Sequence, residues 1–167
     1  FESLKSLCPS VPSLQQVVER FGNKMHLMIE VKHEPYPNPE HQNTILEAIF
    51  SNLIPGQDYH LISLDPEMLE LIECVPDHAK MPVAELNVGK FSEIALEKNY
   101  AGVLGHYFLL NGRLVQKHLE AGQKVGTGYP DSRNCMSREL NRGVNWLFSN
   151  DAGGLEQIRK AMLAEDG

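Results

Sequence analysis

The chain has 167 residues, a length that suits one domain with a sizeable hydrophobic core. Its formal net charge of −7 argues against sequence-independent binding to nucleic acids or anionic membranes, which both need clustered positive charge. The three cysteines lie far apart and lack CxxC spacing, so the sequence predicts neither a zinc site nor a disulfide framework. We therefore expect a reducing, cytoplasmic setting, with no transmembrane segment and no signal peptide. Because the first residue is Phe1 rather than Met, we also expect polypeptide to be missing ahead of it.

An apolar stripe predicts the first helix, which begins at Pro12 or Ser13 and ends at Gly22. The next run, residues 25–32, is short and mostly apolar, as is typical of a strand buried in a parallel sheet. Strand side chains alternate, so Glu30 and Lys32 lie on the same face at the carboxyl end of this strand. Two explanations remain open: a structural ion pair, or a functional pair at the end of the strand where α/β barrels place their active sites.

From this point strands and helices alternate along the chain. The predicted strands are 25–32, 59–63, 81–85, 101–105, 124–127 and 146–149, and the predicted helices after them are 40–53, 66–74, 90–98, 111–121, 132–142 and 154–164. Such alternation implies βαβ units and a parallel sheet. No glycine-rich phosphate motif follows any strand, which argues against an open dinucleotide-binding sheet. We predict one domain over residues 1–167, a TIM-type (β/α) barrel with six βα units present and the first two of eight missing.

Histidines supply the remaining candidates for contact with a ligand. His106 comes directly after the strand at Val103, where barrel chemistry gathers, and is therefore a candidate to touch ligand. His33 follows Lys32 and can face the mouth of the same site, whereas His26 is better explained as a core residue of its strand. No serine lies in a GxSxG turn and Cys135 has no evident base partner, so nucleophilic hydrolase chemistry is not supported.

An ordered set of segments carries a family resemblance over essentially the whole chain. The segments are Val11–Val18, Ile29–Lys32, Leu61–Glu67, Ala101–Val103, Leu109–Thr127 and Gly143–Asp151. In order and spacing this set resembles the C-terminal three-quarters of the glycerophosphodiester phosphodiesterase family. No single motif among them is very specific.

The resemblance implies a TIM-type barrel that hydrolyses glycerophosphodiesters to glycerol 3-phosphate and an alcohol, with a place in glycerol and lipid metabolism. Family members hold a divalent cation, Mg²⁺ or Ca²⁺, with three acidic side chains and use two histidines as general acid and base. The chemistry is sensible, since a hard cation neutralises charge on phosphorus and imidazoles move protons near neutral pH. Glu30 matches one metal carboxylate, and Lys32 matches the companion lysine near the phosphate.

Several departures from the family pattern bear on activity. The His-Arg-Gly, Glu-x-Asp and His-Asp signatures are absent, so the sequence contains one of three metal ligands and no catalytic residue. We therefore expect this chain alone to be inactive and to bind divalent metal poorly. Gly126 replaces a common aromatic residue, and Tyr129 can supply the missing apolar wall for the glycerol moiety. Ser149-Asn150-Asp151 replaces the usual end of the last strand, which suggests an altered substrate.

Two functional hypotheses from different classes remain open. In the first, the chain is part of a metal-dependent glycerophosphodiester phosphodiesterase that acts on a small-molecule diester. In the second, it is a non-catalytic barrel relative that binds a phosphorylated small molecule or a protein partner. An open barrel exposes two strand edges, so the second hypothesis also predicts a homo-oligomer. A related lipid phosphodiesterase, such as the sphingomyelinase D group, is a weaker third alternative.

Overall fold

The computed structural model describes residues 6–35 and 38–165. Six strands alternate with helices, as the sequence predicts. The strands are β1 (Leu27–Glu30), β2 (Tyr59–Ser63), β3 (Lys80–Ala84), β4 (Gly102–His106), β5 (Lys124–Gly128) and β6 (Trp146–Phe148). The helices are α1 (Leu14–Phe21), α2 (Pro39–Phe50), α3 (Pro66–Glu70), α4 (Val88–Glu97), α5 (Gly112–Glu120), α6 (Arg133–Asn141) and α7 (Ala152–Glu165), with a short 3₁₀ helix at Asp77–Ala79.

The strands form one parallel sheet in the order β1-β2-β3-β4-β5-β6. Each strand therefore pairs with its neighbours in sequence, which is the connectivity of a (β/α) barrel rather than of a doubly wound sheet. Because all strands run the same way, their carboxyl ends meet at one edge of the sheet. We call this edge the upper end and the opposite edge the lower end.

The sheet is curled into a half-barrel. The His26 ring, just before β1, lies 4.5 Å from the Trp146 ring at the start of β6, measured between ring centroids. Side chains at opposite edges of the six-stranded sheet can meet in this way only if the sheet bends round an interior. Among the described residues, no strand pairs with the outer edge of β1 or of β6, so the half-barrel is open along one side.

The helices cover the outer face of the sheet and form the main core with it. Leu61, Val103 and Val125 face outward and are almost fully buried against apolar helix residues such as Phe91 and Val115. Several helices begin at side-chain caps. Ser13 accepts a hydrogen bond from the Gln16 N–H in a capping box, and Asn38, Asp65, Asn111 and Ser132 cap α2, α3, α5 and α6.

The lower end of the half-barrel is filled by rings. His26 donates from Nδ1 to the Gln57 carbonyl at 2.7 Å and accepts at Nε2 from Nδ1 of His60 at 2.8 Å. The Lys124 ammonium lies 5.7 Å from the centroid of the Trp146 ring, and His60 itself is fully buried. The prediction that His26 is a packing residue is therefore confirmed, and it packs on the inner face of the sheet.

Two elements differ from the sequence prediction. The first strand was predicted to be buried, but β1 is only half-buried and its last residue, Glu30, is exposed, because no described strand covers its outer edge. The helix predicted at 66–74 ends at Glu70, although its apolar pattern continues to the buried Ile72. Asn43 of α2 accounts for the early end: it donates to the Leu71 carbonyl and accepts from the Cys74 N–H, and so takes over hydrogen bonds that a continuing helix would have made.

No helix in the described ranges is long and apolar enough to cross a membrane.

Candidate functional site

The charged side of the site lies at the upper end of β1. The Lys32 ammonium and the Glu30 carboxylate form an ion pair with 2.7 Å between Nζ and Oε1. Period-two alternation places both side chains on the inner face, and the Val31 N–H between them continues the ladder by donating to the Ile62 carbonyl. The predicted pairing of these two residues is confirmed.

The apolar side of the site lies across the interior, on β5 and β6. The Phe148 ring fills the space above Gly126, where a Cβ would lie 2.8 Å from Phe148 Cε2 and 2.5 Å from Leu104 Cδ2. Tyr129 follows β5 with a left-handed φ of 67° and is held there by its N–H, which donates to the Phe148 carbonyl at 2.7 Å. Phe148 thus takes the inner-face space that a side chain at Gly126 would have occupied.

His106 lies between the charged and apolar sides, at the end of β4. Its Nδ1 accepts a hydrogen bond from the Phe108 N–H at 3.2 Å, so the neutral imidazole carries its proton on Nε2. Its ring stacks on Tyr107 with 4.7 Å between centroids and lies 5.8 Å from the Tyr129 ring. The imidazole is therefore fixed by its backbone contact and by two aromatic neighbours.

These side chains surround one cavity of about 770 Å³, which we call the upper cavity. It is lined by all four residues that the sequence singled out as metal-binding or substrate-binding: Glu30, Lys32, His106 and Tyr129. Its volume lies within the range usual for small-molecule sites. The upper cavity is thus where the sequence-based candidates meet.

Glu85 and Phe148 line the cavity and were not singled out from the sequence, whereas Asn150 lies in the Ser149-Asn150-Asp151 segment already noted as a departure from the family pattern. Each lies at or just beyond the carboxyl end of a strand, which is where barrels place their active-site residues. For Glu85 that position was the only available signal, whereas Phe148 and Asn150 lie in the Gly143–Asp151 segment that carries the family resemblance.

His33 does not join the site. Its Nδ1 lies 2.6 Å from the Asp65 carboxylate, which also caps α3, and His33 does not line the upper cavity. The hydrogen bond from His33 lowers the pKa of Asp65 below its usual value. The prediction that His33 can face the mouth of the site therefore gives way to a surface pairing with a helix cap.

The described residues do not by themselves make a complete cation site. Two carboxylates, those of Glu30 and Glu85, line the upper cavity, and Glu30 is already paired with Lys32. Across residues 6–35 and 38–165, no group of three His, Cys, Asp or Glu side chains is arranged to hold a metal ion. The described residues therefore supply part of a divalent-cation site but not the whole of it.

Solved structures share this architecture. A phosphodiesterase from Oleispira antarctica, in complex with the product sn-glycerol-3-phosphate, superposes with a TM-score of 0.67 at 19% identity, covering 89% of this chain and 61% of that one. A glycerophosphodiester phosphodiesterase from Thermotoga maritima gives a TM-score of 0.66 at 14% identity, covering 89% and 64%. The chain has the fold of the glycerophosphodiester phosphodiesterases. A third member, from Parabacteroides distasonis, gives a TM-score of 0.65 at 15% identity, covering 93% and 66%.

The sequence resemblance to the glycerophosphodiester phosphodiesterase family thus agrees with the fold. The chain spans less than two thirds of the length of each of these three structures. No family model matches the sequence, and no curated protein matches it.

Proposed function

We propose that the upper cavity binds the phosphodiester and glycerol portions of a glycerophosphodiester, and that the chain contributes this binding site to a barrel of the glycerophosphodiester phosphodiesterase type. One observation carries the proposal: Glu30, Lys32, His106 and Tyr129 line a single cavity at the upper end of a barrel with that fold. The Lys32 ammonium suits the phosphate. The His106 ring, which carries a proton on Nε2, suits an ester oxygen, and the Tyr129 ring suits the glycerol carbons.

Lys32 is the residue that would receive the phosphate. Its ammonium is a compact positive charge with three donors, of which the Glu30 carboxylate engages one at 2.7 Å. The carboxylate fixes the position of the ammonium and leaves its remaining donors free to bind phosphate oxygens. His106, with its proton on Nε2, can donate a further hydrogen bond to an oxygen of the same ligand.

Tyr129 and Phe148 would form the wall against which the glycerol carbons pack. The two residues are joined by the Tyr129 N–H to Phe148 carbonyl hydrogen bond, and both line the upper cavity. In this proposal the aromatic surface that the family places on the strand at Gly126 comes instead from the neighbouring strand and the loop after β5.

Glu30 is the proposed first ligand of a divalent cation, Mg²⁺ or Ca²⁺, in the complete enzyme site. Carboxylate oxygens are the ligands that these hard cations prefer. Since the described residues do not supply a group of three ligands, we expect this chain by itself to bind the phosphodiester without hydrolysing it. A non-catalytic role, in which the chain binds a phosphorylated small molecule, is the second candidate, and the existing Glu30–Lys32 pair favours it.

The test is calorimetric titration of the purified chain with sn-glycerol 3-phosphate and with glycerophosphocholine. Lys32→Met should weaken the binding of both ligands by about tenfold, since a charge-assisted hydrogen bond to phosphate is among the stronger polar contacts. Lys24→Met removes the same charge from an exposed position ahead of β1 at the lower end and serves as the matched control. Equal loss in both variants, or no binding in the parent chain, would contradict the proposal.

Hydrolysis separates the two candidate functions. Release of glycerol 3-phosphate from glycerophosphocholine is measured with Mg²⁺, with Ca²⁺ and with EDTA, beside Glu30→Gln. Binding without metal-dependent release supports the non-catalytic role for this chain. Metal-dependent release that Glu30→Gln abolishes would show that residues of this chain complete the active site.

A further inference from the structure

A second cavity lies at the lower end of the half-barrel and shares no lining residue with the upper cavity. Its volume is about 290 Å³, and its lining comes mainly from the amino ends of strands and from the segments that lead into them. We call it the lower cavity. It is slightly smaller than the usual site of a drug-sized ligand, so it suits a small ion or molecule.

His60 lines the lower cavity, is fully buried, and has one ring nitrogen, Nε2, without a hydrogen-bond partner. Its Nδ1 donates to His26, because His26 donates in turn from its own Nδ1 to the Gln57 carbonyl, which can only accept. Burial and the nearby charges of Lys124, His26 and His78 lower the pKa of His60 to about 4, so its ring is neutral near pH 7. Nε2 therefore carries a lone pair. A buried acceptor without a donor is costly, which favours a ligand that brings the proton.

Two basic side chains, Lys124 and His78, line the same cavity. Gly56 brings them together: its carbonyl accepts from Lys124 Nζ at 3.3 Å, and a Cβ on Gly56 would lie 3.3 Å from His78 Cδ2. Among the residues that the structure describes, no Asp or Glu lines the lower cavity, although the chain as a whole has a formal charge of −7. The lower cavity is thus a positive region on an acidic protein, and it favours an anion.

Gln123 gives the lower cavity a fixed wall. Its amide nitrogen donates to the Ala95 and Tyr100 carbonyls at 2.7 Å and 2.9 Å, and its amide oxygen lies 2.6 Å from Nδ1 of His118. Its side chain is therefore engaged within the protein. Polar recognition of a ligand is left to His60 and to the two basic side chains.

These features favour an anion that can also donate a hydrogen bond. A metal ion fits less well, because the Lys124 ammonium would repel it and no three His, Cys, Asp or Glu side chains in the described ranges are arranged to hold one. We infer that the lower cavity binds inorganic phosphate, whose P–OH group donates to Nε2 of His60 and whose other oxygens face Lys124 and His78. The inference is independent of the proposed function, because it concerns a separate cavity.

The experiment compares phosphate with sulfate, which has a similar size but carries no proton near neutral pH. Nuclear magnetic resonance spectra of the histidine ring nitrogens are recorded as the chain is titrated with each anion. Phosphate should shift the Nε2 resonance of His60, which the spectrum of His60→Gln identifies by its loss. Phosphate should also bind at least about tenfold more tightly than sulfate, because a sulfate oxygen would face the Nε2 lone pair with no proton between them.

Three variants make the test specific. Lys124→Met should weaken phosphate binding by about tenfold, since a charge-assisted hydrogen bond is lost. Lys117→Met removes the same charge from an exposed position on α5 that does not line the lower cavity, and should leave the affinity within about twofold. His60→Gln presents an amide that donates as well as accepts, so the preference for phosphate, followed at the Gly122 backbone amide, should fall to about threefold or less. Lys124 is only half-buried, so Lys124→Met keeps the test decisive if His60→Gln does not fold.

The outcomes also separate this inference from the proposed function. Phosphate that leaves the His60 resonance unchanged, or equal affinity for phosphate and sulfate, would overturn the inference and leave the upper cavity to its own titrations. If Lys117→Met weakens binding as much as Lys124→Met does, the attraction is general and the inference is wrong. Methyl phosphate loses its last proton at about pH 6 and should bind more weakly than inorganic phosphate near neutral pH. Tighter binding of methyl phosphate would assign the lower cavity to a phosphate monoester and overturn the inference as well.

Discussion

The upper and lower ends of this half-barrel are built from the same six strands, but the interior is packed at the lower end and open at the upper end. At the lower end the inward positions hold His26, His60 and Trp146, whose rings contact one another and close the interior. At the upper end the inward positions include Gly128 and the aliphatic residues Ile62 and Leu104, and a cavity of about 770 Å³ remains. One end is therefore packed, and the other is open at the end where barrels place their active sites and where we propose that a ligand binds.

The largest expected effect concerns His60 at the packed lower end. Burial, with the charges of Lys124, His26 and His78 adding to it, lowers the pKa of His60 to about 4 from an ordinary value of 6.5. Between these values the unfolded chain binds a proton that the folded chain does not. The free energy of unfolding should therefore fall as the pH drops from 6.5 to 4, by at most about 3 kcal/mol from this residue.

Urea unfolding at several pH values measures this effect, and His60→Gln isolates it. The variant should lose stability at pH 7 through poorer packing and should show a shallower pH dependence between 6.5 and 4. His118 is also buried with a lowered pKa and remains in both proteins, so the difference between them belongs to His60. An unchanged slope in His60→Gln would show that the imidazole is accessible to protons in the folded chain.

Two glycines on β5 offer a sharper test, because they face the same interior two residues apart. Gly126→Ala forces a Cβ to within 3.0 Å of three side-chain atoms and should destabilise the protein by about 1–3 kcal/mol through overpacking. Gly128→Ala enters open space in the cavity and should change stability by less than about 0.5 kcal/mol. Similar losses for both, measured by urea unfolding, would mean that the upper cavity is filled in solution.

The Glu30–Lys32 pair at the upper end should matter little to stability. Both side chains lie at the surface of the cavity mouth, and exposed ion pairs contribute at most about 1 kcal/mol. We expect Glu30→Gln to change the free energy of unfolding by less than that amount. Glu156→Gln, which breaks a similarly exposed pair with Arg159 on α7, is the matched control. A loss of several kcal/mol confined to Glu30→Gln would make the pair a structural element rather than part of a binding site.

The smallest expected effect is the response to divalent cations. Because the described residues provide no group of three ligands, calorimetric titration with Mg²⁺ or Ca²⁺ should give a Kd of about 1 mM or weaker. Glu30→Gln should leave that weak response almost unchanged. Tight stoichiometric binding that the variant abolishes would show that this chain completes a cation site around Glu30.

A homo-oligomer remains a proposal that the open half-barrel supports. Strands β1 and β6 have outer edges without a pairing strand in the described part of the chain, and such edges favour association. Sedimentation equilibrium over a range of concentrations tests it; a monomer at every concentration would contradict the proposal.

All six strands and their order could be predicted from the sequence, because short apolar runs alternate with amphipathic segments between clear turn signals. The ends of elements were less predictable. The helix after β2 stops at Glu70 because Asn43, 27 residues earlier, captures the backbone groups that follow, and no local pattern contains that contact. The exposure of β1 likewise depends on which strands lie beside it, and a sequence window does not report that.

The residues of the candidate site also fall into those that could be predicted from the sequence and those that could not. The Glu30–Lys32 pair follows from period-two alternation within one strand, which is a local property of the sequence. The places of Phe148 and Glu85 in the cavity could not be predicted, because the curl of the sheet brings the ends of distant strands round one cavity. The approach of Phe148 to Gly126 is of this kind: neither residue on its own indicates that one fills the space above the other.

The sequence by itself thus determined the parallel strand–helix alternation and the local pairing at Glu30, because alternation and turn chemistry act over a few residues. Only the tertiary structure decided which interior positions are packed and which are open. That distinction depends on the curl of the sheet, which packs His26 against Trp146 at one end and leaves room above Gly128 at the other.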